Sequence, residues 1–164
     1  MTTNPASSIR IGDLIVPERI ELRLMSKAWD GVLTELVGRM PELANQPEAR
    51  HQLLQALVER ERLCSTGVGE GVAIPHSRAP VPGLVEKPLI VFGRHAEGIA
   101  FNAVDGQPVR IFFLLVSAGM SQHLQLLARL SRLLRQGQLR QELMAAETPA
   151  QAVERVREAE MLLR

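Results

Sequence analysis

Residues 109–117 read Val-Arg-Ile-Phe-Phe-Leu-Leu-Val-Ser, with no polar side chain from Ile111 to Val116. A strand with one face in water alternates apolar and polar positions. This one does not, so it belongs inside a sheet that is covered on both faces. It is far too short to cross a bilayer. Any fold built around it must therefore pack other elements against two sides of one strand. At 164 residues the chain is long enough for one domain with a proper core, and 46% apolar with 23% charged residues is ordinary for a globular protein.

The flanking segments supply the covering elements. Residues 1–8 are small and polar and are expected to be a disordered tail ahead of a domain over 9–164. Residues 9–15 can make a short helix before Pro17. Ile20, Leu22 and Leu24 alternate with Glu21 and Arg23, which predicts a half-buried strand. Ser26 is placed to cap a helix whose inward positions are Trp29, Val32, Leu33, Leu36, Val37 and Met40, with Pro41 closing it. Asn45 or Gln46 caps a second helix with Pro47 early in it and Leu53, Leu54, Leu57 and Val58 inward, running out near Arg60 or Arg62. Residues 89–92 read as a strand, 93–98 as a hairpin-like turn, 99–101 as a short strand and 105–108 as another turn. Past Ser117, Ser121 is expected to cap a helix striped by Leu124, Leu127, Leu130 and Leu134 and ended by Gly137. Two further helices follow, over 138–147 and from Thr148 onward, the last packed through Val153 and Val156. Strands lying between two groups of helices predict an α+β layered sandwich with a mixed sheet.

Residues 60–78 carry the chemistry. A polar turn (Cys64, Ser65, Thr66) leads into Gly67, Gly69 and Gly71, then Val72, Ala73 and Ile74, then Pro75-His76. Glycines can turn backbone N–H groups toward an anion and let it approach closely. Pro75 biases Ile74 toward extended geometry, so His76 leaves a strand end in a defined direction. The spacing matches neither the nucleotide P-loop nor the dinucleotide fingerprint. An imidazole at the exit of such a loop suggests phosphate chemistry, because its phosphoramidate is energetic enough to pass the group onward.

Four histidines occur. His51, on the polar side of a helix, and His95, in the expected turn, read as solvated. His123 falls in the first turn of a helix, where free N–H groups and the helix dipole favour anions. Alone it is a solvated first-turn residue; beside His76 it is a donor to a phosphoryl oxygen. Arg60 is either a cation closing a helix or a guanidinium for phosphoryl oxygens. Ser65 and Thr66 are phosphate donors or turn residues, and Arg78 is a partner contact or a solvated charge. Cys64 reads as packing. The two histidines have no convincing third ligand for a metal, and no cofactor is implied. Nineteen basic against 18 acidic residues leave no field for nucleic acid and no polybasic block for membrane insertion. One cysteine and no export signal point to the cytoplasm.

The string Ser-Thr-Gly-x-Gly-x-Gly-x-Ala-x-Pro-His over 65–76 resembles the active-site signature of the type-two enzyme IIA family of the bacterial phosphoenolpyruvate-dependent phosphotransferase system. Arg60-Glu61 before it, residues 101–109 and the stretch 117–134 with His123-Leu124 are similar to the same family, as is the region 20–40. The resemblance is strongest to the stand-alone, nitrogen-regulatory branch. It implies a three-layer α/β/α fold and a phosphotransferase component with a phosphohistidine intermediate. It implies phosphorylation of His76 at Nε2 by a histidine-phosphorylated HPr-like carrier, with His123 assisting, Arg60 balancing charge, and Ser65, Thr66, Gly67, Gly69 and Gly71 forming the phosphate loop. It further implies phosphorylation-dependent control of partners such as potassium transport and nitrogen-control proteins. Cys64, Asn102 and Ser77 depart from the residues frequent in the family, which leaves the His76 chemistry intact and the identity of the partner surface open. The alternatives are a fructose- or mannitol-type enzyme IIA that passes phosphate to a IIB domain, and a phosphate-free interaction module, against which the presence of both His76 and His123 argues.

Overall fold

The computed structural model describes residues 9–163; the tail expected over 1–8 lies outside them. Its elements in chain order are β1 (Ile20–Glu21), α1 (Trp29–Val37), α2 (Pro47–Leu63), β2 (Gly67–Gly69), β3 (Val72–Ala73), β4 (Leu89–Ile99), β5 (Val109–Val116), α3 (Met120–Leu133), α4 (Gly137–Ala145) and α5 (Pro149–Met161). The five strands form one mixed sheet in the order β1-β4-β5-β3-β2. Pairing is parallel for β1–β4 and β3–β5, and antiparallel for β4–β5 and β2–β3.

The apolar run lies where its composition demands, in the middle strand, and its residues divide between two cores. Ile111, Phe113 and Leu115 pack with Ile90 and Phe92 against α3, α4 and α5. Phe112, Leu114 and Val116 pack with Leu89 and Val91 against α1 and α2. This is a three-layer α/β/α sandwich. Phe92 stacks on Phe113 at 5.0 Å between ring centres on one face, and Phe101 meets Phe112 edge-on at 5.3 Å on the other. The buried Glu160 carboxylate accepts from the Ile11 and Gly12 N–H groups at 2.6 and 3.0 Å and from Arg129 at 2.8 Å, tying the N-terminal segment to α3 and α5.

Several local expectations change. Residues 9–15 form only a 3-10 turn over Ile11–Asp13. The first strand is two residues long, although the Leu24 N–H still reaches the Arg94 carbonyl at 2.9 Å. Ser26 does not cap α1, which begins after Ala28; the Glu35 carboxylate instead accepts from the Met25 and Ser26 N–H groups. Ser121 is not the cap of α3 either, because the helix starts after Gly119, and Gly137 opens α4 instead of ending α3. The inward face of α3 is His123, Leu126, Leu130 and Leu133, while Leu124 is 59% exposed.

The largest change is at 93–98, which forms no hairpin. β4 runs straight through it, with a bulge in which His95–Gly98 stand opposite Arg110 alone. Gly93 lets two leucines pack closely on the strand: a Cβ there would lie 2.5 Å from Leu36 Cδ2 and 2.8 Å from Leu24 Cδ1. Replacing Gly93 with Val makes the Leu24 and Leu36 side chains shift and is expected to cost about 1–3 kcal/mol in urea denaturation. A midpoint unchanged from wild type would contradict the close approach.

Candidate functional site

The site is assembled by the two parallel central strands. Pairing continues beyond the end of β3, because the Leu115 N–H donates to the Pro75 carbonyl at 3.0 Å. The carboxyl ends of β3 and β5 therefore lie side by side, as at ligand crevices of α/β sheets. His76 follows Pro75 directly. His123 is reached from β5 through residues 117–119, and its own N–H closes the first turn of α3 on the Gly119 carbonyl at 2.9 Å. Since β2 runs antiparallel to β3, the end of α2 that feeds β2 lies at this same edge and brings Arg60 with it. The two imidazole rings are 5.3 Å apart between centres and tilted by 60°.

Their hydrogen bonds define their protonation. His76 Nδ1 is 2.7 Å from the Ile74 carbonyl. A carbonyl only accepts, so Nδ1 carries the proton and Nε2 keeps its lone pair. Burial pushes the His76 pKa down to about 4, aided by the charges of Arg60 and His123 and opposed by the Ile74 carbonyl. The ring is thus neutral, with its nucleophilic nitrogen free, across the whole physiological range. His123 is 2% exposed and far from the solvated residue that a first-turn position suggests. Burial lowers its pKa as well, against the Ser77 backbone carbonyl. Its Nδ1 lies 3.0 Å from the hydroxyl of Ser117.

Around this pair the polar turn is tied into the scaffold. Arg60 donates to the Cys64 carbonyl at the end of α2, which leaves most of its N–H donors uncommitted. The Ser65 hydroxyl donates to the Phe101 carbonyl and accepts from the Gly67 N–H. Thr66 is buried, and its N–H and hydroxyl both reach the Glu61 carboxylate. Both hydroxyls therefore hold the turn in this structure. Glu61 was not singled out by sequence reasoning, although it stands in the Arg-Glu pair; burial raises its pKa, with Thr66 and Arg60 opposing.

The glycines are placed differently from the anion cradle expected of them. Gly67 and Gly69 lie on β2 and Gly71 opens the return to β3, so the string is an edge hairpin that turns at the opposite end from His76. Gly69 and Gly71 have φ of 98° and 76°, and the Glu70 N–H between them goes to Asp105. Five residues of extended chain put Gly71 about 16 Å from His76. Gly69 and Gly71 supply the positive φ of the turn, while Gly67 pairs with Ala73 at the end of the hairpin nearer His76.

The remaining candidates separate cleanly. His51 and Arg78 are exposed, and so is Cys64, which corrects the packing read for it. His95 is 6% exposed, which corrects the solvated reading; it donates from Nε2 to the Ser26 carbonyl and accepts the Gly98 N–H on Nδ1. Among the described residues no group of three His, Cys, Asp or Glu is arranged to hold a metal. No helix among them is long and apolar enough to cross a membrane.

A family model described as phosphoenolpyruvate-dependent sugar phosphotransferase system, EIIA 2, matches residues 13–159. The chain belongs to this family. Enzyme IIA domains of this kind are phosphotransferase components that work through a phosphohistidine intermediate with phosphocarrier partners and IIB domains. A nitrogen regulatory protein of Bradyrhizobium diazoefficiens is 40% identical over 146 residues, covering 87% of this chain and 91% of that protein. A fructose-specific EIIABC component of Bacillus subtilis is 34% identical over 142 residues, covering 85% of this chain but 22% of that longer protein. Among solved structures, nitrogen regulatory protein IIA-Ntr of Neisseria meningitidis superposes with a TM-score of 0.74 at 28% identity, over 89% of this chain and 98% of that one.

The depressed His76 pKa has a signed consequence. The unfolded chain takes up a proton on this residue near 6.5 and the folded enzyme IIA domain only near 4, so stability falls as pH drops through that window and levels below it. An NMR titration of the His76 ring should give a midpoint near 4. A midpoint at 6.5 would show a ring in free contact with water.

Proposed function

We propose that this chain is a phosphoryl carrier of the nitrogen-regulatory branch that receives phosphate on His76 Nε2 from the phosphohistidine of an HPr-like protein. The observation that carries the reading is the paired imidazoles at the ends of β3 and β5, with His76 Nδ1 held by the Ile74 carbonyl. The free Nε2 lone pair attacks phosphorus as the donor's P–N bond breaks, and the electron pair stays on the donor ring. Phosphoryl transfer asks mainly for in-line positioning and for donors to the equatorial oxygens, so side chains without a metal suffice. His123 supplies an N–H to one oxygen and Arg60 a guanidinium to the charge. Ser65, Thr66 and Gly67 keep the neighbouring turn in place.

Support for the regulatory branch comes from relatives named nitrogen regulatory protein, one of which is matched over 91% of its length. On this reading the phosphorylated and free forms bind partner proteins differently, among them potassium transport and nitrogen-control components, in the cytoplasm. A second reading, transfer onward to a IIB domain of a sugar transporter, is favoured by the fructose-specific relatives, including a Haloferax volcanii EIIA component 41% identical over 107 residues. A solved complex of mannitol enzyme IIA with phosphorylated IIB shares the fold at 20% identity.

With phosphoenolpyruvate, enzyme I and the HPr-like carrier, the protein should acquire an acid-labile, alkali-stable phosphate. His76→Ala should abolish it, and His123→Ala should slow transfer about a hundredfold while leaving the fold intact. Normal labelling of His76→Ala would overturn the assignment. Discharge of the label by a fructose-type IIB domain, and by no regulatory partner, would favour the second reading.

A further inference from the structure

We propose that Ser117 is a positioning residue that fixes His123 as the Nε2–H tautomer and so determines which ring nitrogen meets the phosphoryl group. The inference rests on the phosphoryl-carrier reading and concerns a residue outside the signature string. Ser117 ends the apolar run and is 3% exposed. His123 Nδ1, at 3.0 Å, is the one hydrogen-bond partner of its side chain among the described residues. A buried hydroxyl gives its proton to an available acceptor, and Nδ1 is that acceptor. Nδ1 of the neutral ring is then unprotonated, and the proton sits on Nε2.

The consequence for transfer follows from the pairing of the rings. The Ile74 carbonyl holds the proton of His76 on Nδ1 and frees its Nε2 to attack. Ser117 does the converse for His123, leaving the proton on Nε2 of a ring that the Ser77 backbone carbonyl also faces. One ring thus offers a lone pair and the other an N–H, and their centres are 5.3 Å apart. During transfer a P–N bond forms at His76 Nε2, the donor's P–N bond breaks with its electron pair returning to the donor ring, and the His123 proton stays on its nitrogen while bonding a phosphoryl oxygen. With the other tautomer, His123 would turn a lone pair toward that oxygen and repel it. Two short geometric facts, one at each ring, therefore give the pair opposite roles that identical side chains do not have by themselves.

The test combines ¹⁵N NMR of the ring nitrogens with phosphoryl-transfer rates, on the full chain. In the unphosphorylated wild type His123 should show a protonated Nε2 and a bare Nδ1. Ser117→Ala should mix the tautomers and slow transfer from the phosphorylated HPr-like carrier about five- to tenfold, the worth of one hydrogen bond. Ser117→Thr, which keeps the hydroxyl, should restore both. If the alanine variant fails to fold, Ser117→Cys, with its weak S–H donor, should give an intermediate tautomer ratio and rate. An Nδ1–H tautomer in wild type, or an unchanged tautomer or rate in a folded Ser117→Ala, overturns the proposal. Absence of any label on wild type instead overturns the phosphoryl reading and removes the transfer role with it. The tautomer spectrum, which needs no phosphate, still separates the two failures.

Discussion

The hydrogen bond from the Leu115 N–H to the Pro75 carbonyl extends a parallel strand pair beyond its last regular residue, and the site depends on it. Proline has no N–H to offer, but its carbonyl can still pair, so the chain remains extended up to the residue before His76. Without that seam His76 would begin a loop and its distance from α3 would be free to vary. With it, both imidazoles are delivered by the rigid centre of the sheet. The same strand that supplies the bond, β5, is buried by helices on both faces, so the site is referenced to a strand packed into both cores.

Polar groups near the two rings are shared out by what can accept and what can donate. The Ile74 carbonyl determines the proton on His76, and the Ser117 hydroxyl faces His123. The Glu61 carboxylate accepts from Thr66, and the Ser65 hydroxyl donates to the Phe101 carbonyl and accepts from the Gly67 N–H, so the polar turn is closed on itself. What remains open is Nε2 of His76 and the unused donors of Arg60. Desolvation keeps His76 neutral, and a neutral ring is the one that can attack phosphorus.

How much could be read beforehand varies with how local the cause is. The inward faces of α1 and α2 follow from spacing, because Val32, Leu33 and Leu36 and then Leu53 and Leu57 are apolar at helical intervals. The face of α3 does not, since counting leucines makes Leu124 inward and leaves out the polar His123, which is buried because Ser117 satisfies it. His95 was hidden for a related reason: a stretch with Gly93, Gly98 and charged residues between them has the look of a turn. Only the neighbours Leu24, Leu36 and Ser26 reveal a bulged strand with a satisfied core histidine. The glycine string misleads in another way. Its positive φ values serve the β2–β3 turn, and an antiparallel hairpin carries that turn away from the residue that follows it.

By itself the sequence determined the chemistry on offer and the need for two covered faces. An apolar strand without alternation must be central, and a signature string ending in Pro-His specifies an imidazole at a strand end. Tertiary structure alone decided which groups meet. The 5.3 Å between His76 and His123 and the clasp of Glu61 on Thr66 arise from pairing between segments distant in the chain or folded back on one another. Residue identity sets what a side chain can donate or accept; only the register of β3 on β5 and the packing of α3 set what it faces.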